Sequence, residues 1–175
     1  MRIISISKGN GKTRTIYSPN AEERAVLALP VDQLRDLQEH LLDDCVHGFR
    51  VKRSPITNAL PHLNKDYTLS FDLANFFDSV TGRHLKGILP DFMLSELREG
   101  GVLYTGAPRQ GLCTSPFVAN IAAVALDRDV RSSLALLTTE VVYTRYADDL
   151  SFSWNSNRSL HDWLRKEVKR VVEQH

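Results

Sequence analysis

The chain has 175 residues, of which 42% are hydrophobic and 25% are charged, and its formal net charge is +1. This composition is typical of an ordinary globular protein with one domain, or one domain and a small lobe. No apolar run reaches the roughly 20 residues of a membrane-spanning helix, the first residues do not open a signal peptide, and two distant cysteines do not suggest a disulfide framework. We therefore expect a cytoplasmic protein with no membrane partner.

Basic residues are concentrated in two segments that contain no acidic residue. The first contains Arg2, Lys8, Lys12 and Arg14, and the second contains Arg50, Lys52, Arg53 and Lys65. Local positive charge of this kind suits a polyanionic partner better than the net charge suggests. On composition alone, two solvated basic loops are an equal alternative.

The first part of the chain is predicted to form a hairpin and a broken helix. Short strands at 2–7 and 13–17 flank a turn in which Asn10-Gly11 favours a tight reversal. Apolar residues then recur with a helical period from 21 to 42, and Pro30 interrupts that pattern.

The rest of the chain alternates between helices and strands. A short helix is predicted over 55–62, and residues 66–73 alternate apolar and polar side chains as a strand does. Ser115-Pro116 is a strong helix start, and this helix is predicted to reach about residue 136. A hairpin and an amphipathic helix from about 159 to the end follow. The order of elements predicts an α+β fold.

Three aspartates are candidate metal ligands. Asp148 and Asp149 lie at the tip of the predicted hairpin, and Asp72 lies at the end of the strand predicted over 66–73. Adjacent like charges raise each other's pKa, and a divalent cation relieves the repulsion. If the strand pairs beside the hairpin, Asp72 and Asp148 converge and can bridge two Mg²⁺ ions, the arrangement that clamps an in-line phosphoryl transfer. A turn cap and a solvated loop are the alternatives for each aspartate taken alone.

Three segments resemble successive motifs of reverse transcriptases, in the order and at the separations usual in that family. They are Phe71–Phe77, Gln110–Pro116 with Asn120, and Tyr146–Asp149. The last segment alone is weak evidence for this family, but the three segments in this order are specific to it. The segment 58–62 matches the Asn-Ala-x-x-His signature of bacterial retron reverse transcriptases, and the resemblance covers nearly the whole chain.

The resemblance implies a right-hand polymerase whose antiparallel palm sheet packs on helices. Residues 1–66 would form the fingers and 67–175 the palm, with about 95–112 connecting back toward the fingers. The chain ends where the further palm motif, the primer grip and the thumb of the family would begin. We therefore expect the thumb to be absent and the hold on a primer–template to be weak.

The resemblance also implies RNA-directed DNA synthesis. Asp72, Asp148 and Asp149, with the backbone carbonyl of Leu73, would hold two Mg²⁺ ions, for which Mn²⁺ is a substitute. The partners would be an RNA template, a DNA or RNA primer and deoxynucleotide triphosphates. In a retron the template would be a structured non-coding RNA, and a link to phage defence would add an effector protein.

Three residues are expected to contact the incoming nucleotide. Phe77 aligns with the steric gate of the family, whose bulk excludes a ribose 2′-hydroxyl; core packing is the alternative. Gln110 offers a donor and an acceptor, and Gly111 allows the backbone to approach a ligand closely. An ordinary surface turn is the alternative for this pair.

Several basic residues are expected to bind phosphate groups. Lys12 and Arg14 lie where the fingers strands of the family grip the triphosphate, a task that suits a flexible lysine and a forked arginine. Arg50, Lys52 and Arg53 are expected to track template or primer phosphates, a salt-sensitive contact. Arg109 could reach a phosphate or stay solvated.

Asn58 and His62 carry the retron-like signature and are expected to contact the partner RNA. A buried, hydrogen-bonded histidine is an equal alternative for His62.

Three rival functions stay open: a reverse transcriptase of an intron-encoded, diversity-generating or abortive-infection type, an inactive RNA-binding protein that has kept the fold, and a metal-dependent hydrolase. The 58–62 signature argues against the first, and the Gln110–Asn120 segment argues against the last.

Overall fold

The computed structural model describes residues 1–9 and 11–175, with the side chains of Lys8 and Lys12 also outside the description. Its strands are β1 (Arg2–Gly9), β2 (Lys12–Ser18), β3 (Tyr67–Asp72), β4 (Val141–Tyr146) and β5 (Asp149–Trp154). Its helices are α1 (Ala21–Ala28), α2 (Val31–Leu41), α3 (Pro55–Ala59), α4 (Phe76–Ser79), α5 (Gly82–Leu85), α6 (Asp91–Glu99), α7 (Ser115–Ala122), α8 (Val124–Leu134) and α9 (Leu160–Gln174). Short 3₁₀ turns occur at Leu60–His62 and Tyr104–Gly106.

The mixed composition confirms the predicted α+β class. The interruption at Pro30 is also confirmed, because α1 ends at Ala28 and α2 begins at Val31. The prediction of a single helix from Ser115 to about 136 is wrong in one respect. The helix is broken at Ala123, whose φ of −81° and ψ of 0° leave the helical region, so that two helices replace one. The predicted turn at Asn10-Gly11 includes Asn10, which lies outside the described residues.

The chain forms two compact units, each built from two separate stretches. The first unit combines Met1–His40 with Asn75–Ala122, and the second combines Leu41–Ala74 with Ala123–His175. The expected fingers at 1–66 and palm at 67–175 stay a prediction.

In the first unit, β1 and β2 form an antiparallel hairpin. The N–H of Tyr17 in β2 donates to the carbonyl of Gln110 at 2.8 Å, which attaches the hairpin to the loop before α7. Inside the unit, the amide of Asn120 donates to the side-chain oxygen of Gln38 at 3.1 Å, and both side chains are fully buried. Asn120, the last residue of the second motif, therefore joins α7 to α2.

In the second unit, β3, β5 and β4 form an antiparallel sheet in that order. Because successive side chains on a strand point to opposite faces, the register defines two faces. Leu69, Phe152 and Tyr143 lie opposite one another and belong to one hydrophobic core. The same core includes Leu126 and Val130 of α8 and Leu160, Leu164, Val168 and Val171 of α9.

The other face of the sheet carries mostly polar residues. Thr144 and Ser70 both lie opposite Ser151, and Asp149 lies between Asp72 and Tyr146. Asp72 and Asp149 therefore belong to the polar face, at the end of the sheet where β4 turns into β5.

Among the helices of the described residues, none is long and apolar enough to cross a membrane.

Candidate active site

The three candidate aspartates lie at the same end of the sheet. Asp72 is the last residue of β3 and is paired with Asp149, the first residue of β5. Asp148 lies in the two-residue turn between β4 and β5. Its carbonyl accepts a hydrogen bond of 2.9 Å from the N–H of Leu73, which joins the end of β3 to the turn. The strand pairing on which the predicted convergence depended is present.

The carboxylates interact electrostatically. Partial burial raises the pKa of Asp149, and the negative charges of Asp148 and Asp72 raise it further. A divalent cation among these oxygens would reverse the sign of the interaction, and the donor set is the one that hard cations prefer. Among the described residues, no group of three or more histidine, cysteine or acidic side chains is already gathered closely enough to hold a metal ion. The donor chemistry fits Mg²⁺, and the side chains would have to draw together around it.

The backbone of the acidic turn is tightly constrained. Ala147 is buried and has a positive φ of 56°, a conformation that costs energy in a residue with a Cβ atom. Gly48 lies directly against it: a Cβ atom on Gly48 would stand 2.3 Å from the backbone nitrogen of Ala147. The segment before Gly48 is also attached, because Val46 bridges to Arg145 in parallel and His47 donates from its N–H to the carbonyl of Arg145 at 2.8 Å.

A buried ion pair, not predicted from the sequence, lies behind this turn. Arg145 has no exposed surface, and its guanidinium binds both carboxylate oxygens of Asp127 on α8 at 2.8–3.1 Å. Tyr143 donates to the same carboxylate at 2.7 Å. The signal was available, because Arg145 shares the apolar face of its predicted strand with Val141 and Tyr143. A cation there requires a buried anionic partner.

His62 bridges two strands of the sheet. One ring nitrogen lies 2.7 Å from the hydroxyl of Ser153 on β5, and the other lies 2.8 Å from the hydroxyl of Thr144 on β4. Burial lowers the pKa of His62, and the nearby charge of Lys65 lowers it further. Of the two alternatives, these bonds favour the hydrogen-bonded histidine. The side chain of Asn58 is half-buried, and within the part of the chain that the structure describes its oxygen has no hydrogen-bond partner.

The predicted phosphate-binding residues in the second basic segment differ in their surroundings. Arg50 donates to the carbonyls of Asp43 and Val46 at 2.7 and 3.3 Å. Arg53 forms an ion pair of 2.6 Å with Asp44. Lys52 is exposed and has a positive φ of 61°. The two arginines stabilise their own loop, and Lys52 projects into solvent.

In the first unit, Gln110 and Gly111 lie against the hairpin. Gly111 has a φ of +104°, and a Cβ atom there would stand 2.3 Å from the carbonyl oxygen of Tyr17. This position therefore requires glycine for two reasons, the backbone angle and the close approach. Gln110 is half-buried, and its carbonyl holds Tyr17. The pair therefore attaches the hairpin within the first unit.

Arg109, for which a phosphate contact and solvation were both left open, is bound to residues of its own unit. It forms an ion pair of 2.5 Å with Asp78, donates to the carbonyls of Tyr104 and Thr105, and lies over the ring of Tyr17. These bonds hold the loop before α7 in place.

Phe77, the predicted steric gate, is half-buried, whereas Phe76 belongs to the core. Their ring centroids are 5.7 Å apart. Arg14 is exposed on β2, and the side chain of Lys12 lies outside the described residues.

Comparison with known proteins decides the family. Residues 6–175 match the reverse transcriptase (RNA-dependent DNA polymerase) family. The chain belongs to this family. The prediction made from the three ordered motifs is thereby confirmed.

The curated relatives are retron enzymes, as the 58–62 signature predicted. The chain is 37% identical to the Mx162 retron reverse transcriptase of Myxococcus xanthus, over 86% of this chain and 35% of that protein. It is 29% identical to the Ec86 enzyme of Escherichia coli, over 91% and 50% of the two chains, and 32% identical to the Mx65 enzyme of Myxococcus xanthus, over 98% and 44%. The chain therefore spans about a third to a half of these relatives.

Proposed function

We propose that this chain carries the nucleotidyl-transfer centre of a retron-type, RNA-directed DNA polymerase. The observation that carries the proposal is the pairing of Asp72 with Asp149 beside the Asp148 turn, at one end of the sheet, in a chain of the reverse transcriptase family. Asp72 ends β3 and Asp149 begins β5, and the other residues of these strands hold the sheet together, which supports the assignment of the carboxylates to one site.

Asp72, Asp148 and Asp149, with the carbonyl of Leu73, would hold two divalent cations. Bound Mg²⁺, or Mn²⁺ in its place, would activate the primer hydroxyl and neutralise the departing pyrophosphate. Asp149 would act as an outer ligand. Keeping three negative charges at one end of the sheet costs free energy. A metal site requires this preorganisation, because its ligands are then in place before the cations bind.

The nucleotide would be a deoxynucleotide triphosphate. Phe77 would exclude a ribose 2′-hydroxyl by its bulk, Gln110 and Gly111 would contact the nucleotide, and Lys12 and Arg14 would bind its phosphates. These five roles rest on the positions of the residues in the family motifs.

The template would be a structured non-coding RNA, copied from a DNA or RNA primer. Lys52 would contact its phosphates, joined by Arg50 and Arg53 when they exchange protein oxygens for phosphate oxygens. Asn58, whose side-chain oxygen has no hydrogen-bond partner among the described residues, would contact RNA beside His62. The protein would act in the bacterial cytoplasm, in phage defence and together with an effector protein, a role that rests on the retron resemblance alone.

Primer extension tests the proposal. A DNA primer on an RNA template is incubated with the protein, Mg²⁺ and labelled deoxynucleotides, and the Asp148→Asn variant is the matched control. We expect extension by the wild-type chain and a loss of more than about 100-fold in the variant, because even residues behind metal ligands account for about 10–100-fold. The variant should unfold at the same temperature as the wild type.

An absence of extension, together with RNA binding that the Asp148→Asn variant retains, would replace the polymerase with an RNA-binding protein that has kept the fold. Extension that survives Asp148→Asn would remove the carboxylates from the chemistry.

A further inference from the structure

A buried arginine lies two residues before the turn that presents the acidic pair. Arg145 belongs to the core face of β4, among the apolar residues that pack on α8 and α9. One edge of its guanidinium binds the carboxylate of Asp127, with Nε at 2.9 Å from Oδ1 and Nη2 at 2.8 Å from Oδ2. Its remaining nitrogen, Nη1, donates to the carbonyl oxygen of Ala147 at 3.1 Å.

Placing an ion pair in a hydrophobic core costs free energy, because both charges are removed from water. Burial by itself would lower the pKa of the guanidinium, but the charge of Asp127 and its hydrogen bonds raise it, so Arg145 stays charged. A buried ion pair of this kind is often no more stabilising than apolar residues of the same volume. Stability of the core therefore does not explain why the pair stands at this position.

The bond to Ala147 does explain it. Ala147 has a left-handed φ of 56°, and its carbonyl is held from the core side by Arg145 while its N–H side lies against Gly48. The backbone of Arg145 is held as well, since its N–H donates to the carbonyl of Cys45 at 2.7 Å. The residue thus connects α8, the segment before Gly48 and the turn that carries Asp148.

We propose that Arg145, fixed by Asp127, is a positioning residue that sets the conformation of the Ala147–Asp148 turn and so the place of the Asp148 carboxylate for divalent cations. The inference rests on the proposed function for its chemistry. It adds residues outside the carboxylate set: Arg145 and Asp127 touch no substrate and act through the backbone of Ala147.

The first variant is Arg145→Lys, which keeps the charge but cannot bind Asp127 and Ala147 at the same time. Tyr143→Phe is its control, because it removes one buried hydrogen bond to Asp127 and leaves the guanidinium bonded to both partners. Thermal unfolding measures the stability of each variant. The Mg²⁺ dependence of primer extension measures the site, with kcat and the KM for deoxynucleotide determined separately.

We expect Arg145→Lys to raise the Mg²⁺ concentration for half-maximal extension and to lower kcat, together by about 10–100-fold, as do changes behind metal ligands. The KM for deoxynucleotide should be nearly unchanged. Tyr143→Phe should lower the unfolding temperature and leave the Mg²⁺ dependence as it is in the wild type. A fold-stabilising role alone would lower stability in both variants and shift the Mg²⁺ dependence in neither.

A second variant separates positioning from stability if Arg145→Lys does not fold. In the Tyr143→Phe background, Arg145→Met with Asp127→Leu replaces the ion pair with apolar side chains of similar volume, a change that buried pairs often tolerate. We expect this protein to fold with an unfolding temperature near that of Tyr143→Phe. Its Mg²⁺ requirement should still be raised, because the guanidinium that binds the carbonyl of Ala147 has been removed.

Hydrogen exchange, measured without metal or nucleic acid, tests the positioning role independently of polymerase activity. The N–H of Leu73 donates to Asp148, so its hydrogen exchange reports the turn directly. We expect about fivefold faster exchange in the variants that lack the guanidinium, the effect of losing one hydrogen bond, and wild-type exchange in Tyr143→Phe.

Faster exchange in a chain that never extends a primer would uphold the positioning role and overturn the polymerase. Unchanged exchange and unchanged Mg²⁺ dependence in an active, folded Arg145→Lys protein would overturn the positioning role and leave the polymerase standing.

Discussion

At the scale of single residues, the acidic turn depends on neighbours that carry no charge. Ala147 adopts a left-handed φ, and Gly48 supplies the space beside its nitrogen. The conformation costs of the order of 1–3 kcal/mol and persists because the surrounding bonds determine it. Strain of this kind is common where a carboxylate must be presented in one place.

Gly48→Ala tests this dependence. The added Cβ would meet backbone atoms of Ala147 and Tyr146 at 2.3–3.1 Å, and backbone cannot swing away as a side chain does. We expect a loss of about 1–3 kcal/mol in the free energy of unfolding, as for other overpacked sites, and reduced primer extension. Chemical denaturation and extension assays measure the two effects.

Gly82→Ala is the matched control for this substitution, because the atoms nearest to its Cβ would belong to the flexible end of Arg98. It should change stability by much less. If Gly48→Ala is as stable and as active as Gly82→Ala, the close contact between Gly48 and the turn is not required.

At the scale of elements, α3 and the 3₁₀ turn after it are attached to the sheet through His62. The two ring nitrogens reach hydroxyls on adjacent strands, β4 and β5, on the polar face. His47 contributes a second link, with Nδ1 3.0 Å from the hydroxyl of Thr57 on α3. The signature that predicted retron character thus has a structural role in the fold.

This attachment predicts a pH dependence of stability. Burial lowers the pKa of His62 and of His47 from the ordinary value of 6.5, so each binds fewer protons in the folded chain than in the unfolded chain. Their contribution to stability is complete above pH 6.5 and is lost as the pH falls below it toward the folded pKa values. We expect the unfolding temperature to fall between pH 7 and pH 5.

His62→Asn provides the comparison, and scanning calorimetry across this pH range provides the measurement. The variant should show a smaller pH slope, and His47 contributes to the slope that persists. A wild-type chain that is more stable at pH 5 than at pH 7 would contradict the assignment.

The elements differ in how far local sequence predicts them. The break at Pro30 and the hairpin around the aspartates follow from periods and breakers within a few residues, and both are present. The break at Ala123 has no such marker, since alanine is a good helix former. It coincides with the point in the chain where one compact unit ends and the other resumes.

At the scale of the whole molecule, the net charge of +1 conceals an uneven distribution. Affinity for RNA comes mainly from phosphate contacts and depends on salt. Within the second basic segment, Lys52 is exposed, whereas Arg53 is already paired with Asp44. The two residues should therefore differ in what they contribute to binding.

Salt-dependent RNA binding measures the difference. Lys52→Ala should reduce the slope of log K against log[salt] by about 0.7 for a single-stranded site, the value of one phosphate contact. Arg53→Ala should have a smaller effect, because Arg53 must first give up Asp44. Lys169→Ala, which removes an exposed lysine from α9, is the control and should leave the slope unchanged. Equal slopes in all four proteins would exclude the segment from the RNA interface.

The sequence by itself determined the family, the α+β class and the carboxylates, because motif order, strand alternation and helix breakers are written in short stretches of neighbouring residues. Only the tertiary structure decided what holds the carboxylates in place. Arg145 and Asp127 are 18 residues apart and His62 and Ser153 are 91 apart, so no local period relates them. A buried charge needs a partner and a tight turn needs space, and the packing of distant segments determines where both are found.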